Sequence, residues 1–157
     1  MVIRLAKETD IPGMIALLKQ VGQVHHDIRP DIFRDRCQKY DEAALAELLK
    51  DETRPIFIAD EGGGNVLSYC FCILRAFEGE SVMADRKELY IDDLCVDENH
   101  RGQGIAKALY RHVTDYAKAI GCTFVTLNVW SGNDSAMKFY ENAGLTPRSI
   151  TMEIKLC

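Results

Sequence analysis

Ile91-Asp92-Asp93-Leu94-Cys95-Val96-Asp97, followed after three residues by Arg101-Gly102-Gln103-Gly104-Ile105-Ala106, is the stretch from which the fold is read. Leu89 to Val96 has the composition of a strand. The second part opens a long helix, because Ile105, Ala108, Leu109, Val113, Tyr116, Ala117 and Ile120 recur at i, i+3, i+4 spacing, and Gly121 stops it. Between strand and helix lies a glycine turn. At such a junction the first helical N–H groups lack partners, the helix dipole adds positive potential, and small residues let a phosphate approach the backbone. The turn is therefore expected to hold a pyrophosphate.

Upstream, Val2 to Leu5 reads as a strand, and Thr9-Asp10 caps an amphipathic helix carrying Ile11, Met14, Ile15, Leu18 and Val21. The pattern weakens from Val24 to Tyr40 around Arg29-Pro30-Asp31, as expected of a lid or substrate loop, and a short helix follows with Ala43, Leu45, Leu48 and Leu49. Ile56 to Ala59, the turn Glu61-Gly62-Gly63-Gly64-Asn65 and Val66 to Ala76 predict a hairpin. Downstream, Thr123 to Val129 is an apolar strand, Ser131 to Asn142 a last helix ended by Gly144, and Thr151 to Leu156 a closing strand. The order predicts an α/β fold in the broad sense, an α+β mixed sheet with helices on both faces.

Two other phosphate-binding turns fit poorly. A nucleotide P-loop ends in Gly-Lys-Ser/Thr, where this chain has Gly104-Ile105-Ala106. A dinucleotide fingerprint would need a third glycine where Lys107 stands, and an acid ending the following strand.

The chain has 157 residues, 47% of them hydrophobic, with no repeats or Pro- or Ser-rich linker, so one domain over residues 1–157 is expected. Its formal charge of −5 gives no positive field for nucleic acid or an anionic membrane. No apolar run approaches a membrane span and the N-terminus lacks signal-peptide character, so a cytoplasmic protein is expected. Cys37, Cys70, Cys72, Cys95, Cys122 and Cys157 are not spaced as a zinc site and read as free thiols, so no metal is expected. His25-His26 reads as a loop or helix end rather than a ligand pair.

Arg101, Gly104 and Ala106 fit the signature of the GNAT superfamily of N-acetyltransferases, which the sequence resembles. The likeness continues through Leu127-Asn128-Val129, Asn133, Ala136, Phe139-Tyr140-Glu141 and Gly144-Leu145, and is strong over residues 88 to 147. It implies a twisted, mostly antiparallel sheet whose two parallel strands splay apart, with acetyl-CoA wedged between the strand ending at Val96 and the one ending at Val129. Pantetheine would meet Leu94-Cys95-Val96, with Leu94 and Val96 bonding through the backbone. The N–H groups from Gln103 to Ala106, including Gly104 and Ile105, would hold the pyrophosphate beside Gly102. Arg101 is family signature that can serve the loop more than the phosphate. Asn133 and Tyr140 would contact the coenzyme.

Acetyl transfer to an alkylamine needs a base for the ammonium proton and an acid for the departing thiolate. Tyr140 is the candidate acid, since it shares a helical stripe with Asn133, Ala136 and Met137 and the family commonly places a tyrosine there. Family members with an acidic pair before the turn often use the first acid as base through water, which selects Asp92 and leaves Asp93 as substitute. Strand parity puts the two on opposite faces, Asp92 with Tyr90, Leu94 and Val96, unless a bulge inverts the order. A covalent route through Cys95 lacks an activating histidine nearby in sequence.

Residues 77–98 carry a net −6 while the remainder nets +1. Acids around an acceptor mouth would favour a cationic amine such as a polyamine, an aminoglycoside or a lysine side chain. The competing reading is a CoA-binding module that senses and performs no transfer. The resemblance also implies a homodimer, since the C-terminal strand of GNAT-like proteins often joins a dimer interface and Met152, Ile154 and Leu156 alternate suitably for one.

Overall fold

The computed structural model describes residues 1–157. Its strands are β1 (Val2–Leu5), β2 (Ile56–Asp60), β3 (Val66–Phe77), β4 (Arg86–Val96) and β5 (Phe124–Leu127). Its helices are α1 (Ile11–Ile28), α2 (Glu42–Leu48), α3 (Ile105–Ala119) and α4 (Asp134–Asn142). One five-stranded sheet runs in the order β1-β2-β3-β4-β5. The first three pairings are antiparallel and β4–β5 is parallel.

Alternation along β3 divides the core. Tyr69 and Phe71 point to the face covered by α1 and α2, where Met14, Leu18 and Leu45 lie fully buried. Cys70 and Cys72 point to the opposite face, against Leu109 and Val113 of α3. Each such leucine or valine contributes roughly 1.5–3 kcal/mol by leaving water, so the apolar stripe of α3 fixes the helix that the glycine turn starts. At the other edge Arg4 bonds both Asp10 (2.8 Å) and Asp60 (2.9 Å), tying β1 and β2 to the start of α1. No helix is long and apolar enough to cross a membrane.

Three boundaries differ from the sequence expectation. Helix α1 continues to Ile28, so His25 and His26 lie in its last turn; His25 stacks on Phe33 and the His26 ring bonds the Phe33 carbonyl. Strand β5 is four residues long, and Asn133 caps α4 from outside it. The expected strand from Thr151 to Leu156 does not form. Its alternation is strand-like, but a strand exists only where an edge accepts its hydrogen bonds, and this segment meets none.

Candidate active site

Strands β4 and β5 pair from Glu88↔Phe124 to Ile91↔Leu127 and then part. Strand β4 runs on through Asp92–Val96 with no neighbour on that side. Where they separate, the Asn128 side-chain amide donates to the Tyr90 hydroxyl at 3.1 Å and braces the opening. The Asp97 N–H bonds Leu67 of β3, and Tyr69 opposes Cys95 in the same register. Odd-numbered residues at this end of β4 therefore direct their backbone to β3, leaving the main-chain groups of Leu94 and Val96 toward the wedge. Cys95 belongs to the other side: Ser68 Oγ donates to its carbonyl at 2.7 Å and its thiol donates to Leu17 O of α1. Burial pushes that thiol up to about 12, so it stays protonated and is no nucleophile.

The turn follows at once. Gly102 and Gly104 have φ of 76° and 78°, left-handed values that only glycine adopts without strain. A Cβ on either would meet open space, so the backbone angle, not crowding, demands glycine there. None of the N–H groups of Gln103, Gly104, Ile105 and Ala106 is taken by a carbonyl of the turn, and no side chain caps the helix. Buried Ile105 anchors the first turn of α3. Arg101 bends back so that Nε reaches Val96 O at 3.4 Å, a weak bond that ties loop to strand. Gly104, Lys107, Arg111 and Asp115 are among the residues that line a shallow groove of about 450 Å³ beside the turn, so two cations and one carboxylate border it. The arrangement suits an anion at the helix N-terminus.

The acidic pair departs from simple alternation. In the β3–β4 register Phe71 opposes Asp93 and its neighbour Cys72 opposes Ile91, so Asp92 is the extra residue of a β-bulge. The expectation that the two carboxylates lie on opposite faces is corrected by this bulge, which shifts parity by one. Both address the α1/α2 side. Asp92 Oδ2 accepts from Lys39 Nζ at 2.6 Å, and Asp93 Oδ2 accepts from the Tyr69 hydroxyl at 2.7 Å. Tyr40, beside Lys39, and Tyr69 both pack on Phe71. The same shift removes Leu94 from the Asp92 side and places it with Leu89 and Ile91 against α3.

Burial pushes the Asp93 carboxyl up to about 6, while the Tyr69 hydroxyl and the Lys39 charge pull it down less strongly. Burial also works against the Lys39 ammonium, but the bond to Asp92 outweighs it and the lysine pKa is raised. Tyr140 is half-buried, packed on Phe139 with ring centroids 5.1 Å apart, and its hydroxyl makes no hydrogen bond within the chain. Burial, with Cys70 and Asp93 adding, raises the phenol well above its ordinary value and keeps it protonated. Asn133 Oδ1 accepts the Ala136 N–H at 3.2 Å as cap of α4, leaving its amide nitrogen without a partner in the chain.

The site thus brings Asp92 and Asp93 to one side of the wedge, the free amides of the glycine turn to its end, and an unpartnered phenol on α4. Sequence reasoning missed Lys39, Tyr40 and Tyr69. Tyr69 carried a signal, a hydroxyl inside an apolar strand that must find a partner; the approach of Lys39 to Asp92 across 53 residues carried none.

Residues 21–145 match the model of the Acetyltransferase (GNAT) family, and the chain belongs to that family. N-acetyltransferase family 8 member 2 of Rattus norvegicus is 34% identical over 119 residues, covering 72% of this chain and 51% of that protein. Streptothricin acetyltransferase of Streptomyces lavendulae is 35% identical over 71 residues, 45% of this chain and 38% of that protein. The chain spans about half the length, or less, of these curated relatives. A mutant of the BH1408 protein from Bacillus halodurans has the same structure over all of both chains, with a TM-score of 0.95 at 30% identity. The aminoglycoside N-acetyltransferase AAC(6')-Iy, solved in complex with CoA, shares the fold with a TM-score of 0.72 at 18% identity, over 99% of this chain and 100% of that one.

Proposed function

We propose that the chain is an acyltransferase that moves acetyl from acetyl-CoA directly to a primary amine that carries positive charge. The observation that carries the reading is the open wedge of β4 and β5, which ends on unpaired amides and has two carboxylates at its mouth. The residues fit the coenzyme: Leu94 and Val96 would bond pantetheine, and Gln103, Gly104, Ile105 and Ala106 would bond the diphosphate. Asn133 would offer its free amide nitrogen. When bound, the coenzyme supplies an activated acetyl thioester.

The chain's own groups divide the proton work. Asp92 holds the acceptor ammonium, in the position where it now holds the alkylammonium of Lys39. Asp93, with its carboxyl near the working pH, receives the amine proton directly or through water. Tyr140, protonated at rest, gives its proton to the departing sulfur as the thiolate forms and regains one from water afterwards. This reverses the order of the two carboxylates expected from the sequence, because Asp93, whose carboxyl is raised by desolvation, has the basicity the task needs. Polyamines, aminoglycosides and lysine side chains fit the charge of the site; streptothricin acetyltransferase and the aminoglycoside enzyme are named for cationic acceptors. The functional unit is a homodimer in the cytoplasm.

The test is acetyl-CoA turnover, followed by thiol release, on a panel of cationic, neutral and acidic amines. Cationic amines are expected to dominate. Coenzyme binding with no turnover on any amine would instead make the chain a sensor module.

A further inference from the structure

The loop between α1 and α2 brings an amine of the chain itself to the carboxylate at the mouth of the wedge. Lys39 Nζ lies 2.6 Å from Asp92 Oδ2 and 5.6 Å from the centroid of the Tyr40 ring. The Tyr40 hydroxyl donates to the same carboxylate oxygen at 3.4 Å and accepts from Arg54 at 3.1 Å, while its ring packs on Phe71. Carboxylate and aromatic face together make a seat for an alkylammonium, and a lysine of this chain fills it. Asp93 of β4 and His25 of α1 also feel the Lys39 charge.

The reactive end of the coenzyme belongs at the same place. With the diphosphate on the amides of residues 103–106 and pantetheine on Val96 and Leu94, the arm leads back along β4 toward Asp92 and Asp93, just past the last β4–β5 pairing at Ile91↔Leu127. Asp93 also contributes to the shift of Tyr140, so base and acid are near enough to feel one another. No other lysine pairs with either carboxylate: Lys50 bonds Glu47, Lys118 lies by Asp115, and Lys87 donates to the Ile120 carbonyl.

We propose that the chain acetylates its own Lys39, and that this single transfer clears Asp92 for amines from solution. The proposal rests on the acetyl-transfer reading of the wedge. The Nζ ammonium gives one proton to Asp93 through water, and the free amine attacks the thioester carbonyl, so that the C–N bond forms as the C–S bond breaks. The nitrogen loses its second proton to water, and the sulfur leaves as a thiol with the proton of Tyr140, which water restores. The products are Nε-acetyl-lysine, CoA and one proton. A tethered amine needs no diffusional encounter, which favours this lysine over the exposed ones. Its product is uncharged, so the ion pair is lost and the seat opens to another ammonium. A free cationic amine competes for Asp92 and delays the self-transfer, so initial rates report the unmodified chain.

The chain, treated with a lysine deacetylase, is incubated with deuterium-labelled acetyl-CoA and no acceptor, then mapped by peptide mass. The expected result is one labelled acetyl group on Lys39, gained at a rate that about tenfold dilution of the protein leaves unchanged. Asp93→Asn should slow it at least ~10-fold, and Lys39→Arg should take no label at this site. With coenzyme removed, the acetylated chain should bind spermine up to ~5-fold more tightly than the deacetylated one by calorimetry; equal affinity would overturn the clearing of Asp92. Label spread evenly over exposed lysines, or reaching Lys39 as fast in Asp93→Asn, would mark chemical acetylation and overturn self-transfer. A rate that falls on dilution would assign the transfer to a second copy and overturn the intramolecular step. A chain that acetylates an added amine but leaves Lys39 bare would overturn self-acetylation with acetyl transfer intact, whereas transfer to neither overturns both.

Discussion

Lys39 Nζ stands 2.6 Å from Asp92 Oδ2, at the bulge where β4 leaves β5. The lysine comes from the loop between α1 and α2 and is half-exposed, while the carboxylate is largely covered. An acceptor ammonium that seeks Asp92 must displace it. A half-exposed ion pair is worth about 1 kcal/mol or less, so Lys39→Ala should lower KM for a polyamine by up to ~5-fold at unchanged kcat. Steady-state kinetics on a cationic and a neutral amine check this. A raised KM for the cationic amine would mean that Lys39 shapes the site instead of filling it.

Asp93 sets the pH dependence. As a base it must be ionised, so kcat/KM should rise through an inflection near its carboxyl value of about 6. Stability moves the other way. Between the ordinary carboxylate value of ~3.9 and about 6, the native state binds more protons than the unfolded one, so unfolding free energy falls as pH rises. Asp93→Asn removes the buried charge while its amide oxygen can still accept from Tyr69. It should flatten the melting temperature between those pH values and lower turnover at least ~10-fold. A variant as active as the parent would return the base role to Asp92.

Tyr140→Phe deletes one hydroxyl that has no partner in the chain, so folding and coenzyme affinity should be untouched. The loss should fall on kcat, by about 10-fold or more, as for a positioned acid. Calorimetry with CoA separates binding from turnover. Equal rates in both proteins would exclude the phenol as proton donor.

The sheet, the two-sided core and the glycine turn were legible because each rests on local pattern: period two in the strands, period 3.6 in α3, and glycines at a strand-to-helix corner. The splay was implied only by family resemblance, since its start at Ile91↔Leu127 is a matter of pairing, not composition. The bulge at Asp92 was invisible for a physical reason. An extra residue leaves no mark on a sequence whose partners across the sheet are unknown, yet it reverses which side chains share a face. The closing strand expected over Thr151–Leu156 does not form, because alternation reports a tendency while a strand also needs backbone partners.

The phosphate site can be tested without confusing charge with backbone strain. Gly104 has φ of 78°, where most side chains are disfavoured by roughly 1–2 kcal/mol. Asn tolerates this conformation better than other residues, and its Cβ would meet no atom of the chain. Gly104→Asn should therefore fold with α3 intact and bind the coenzyme somewhat less tightly, through crowding of the phosphate. Gly104→Asp has the same shape and adds a negative charge beside the amides, so it should bind at least ~10-fold more weakly than the asparagine variant. That difference should shrink as salt screens the repulsion. Titration of both variants with acetyl-CoA at low and high ionic strength reads the contrast directly. If the two bind equally at every salt concentration, the diphosphate does not sit on the amides of residues 103–106, and the wedge is used in some other way.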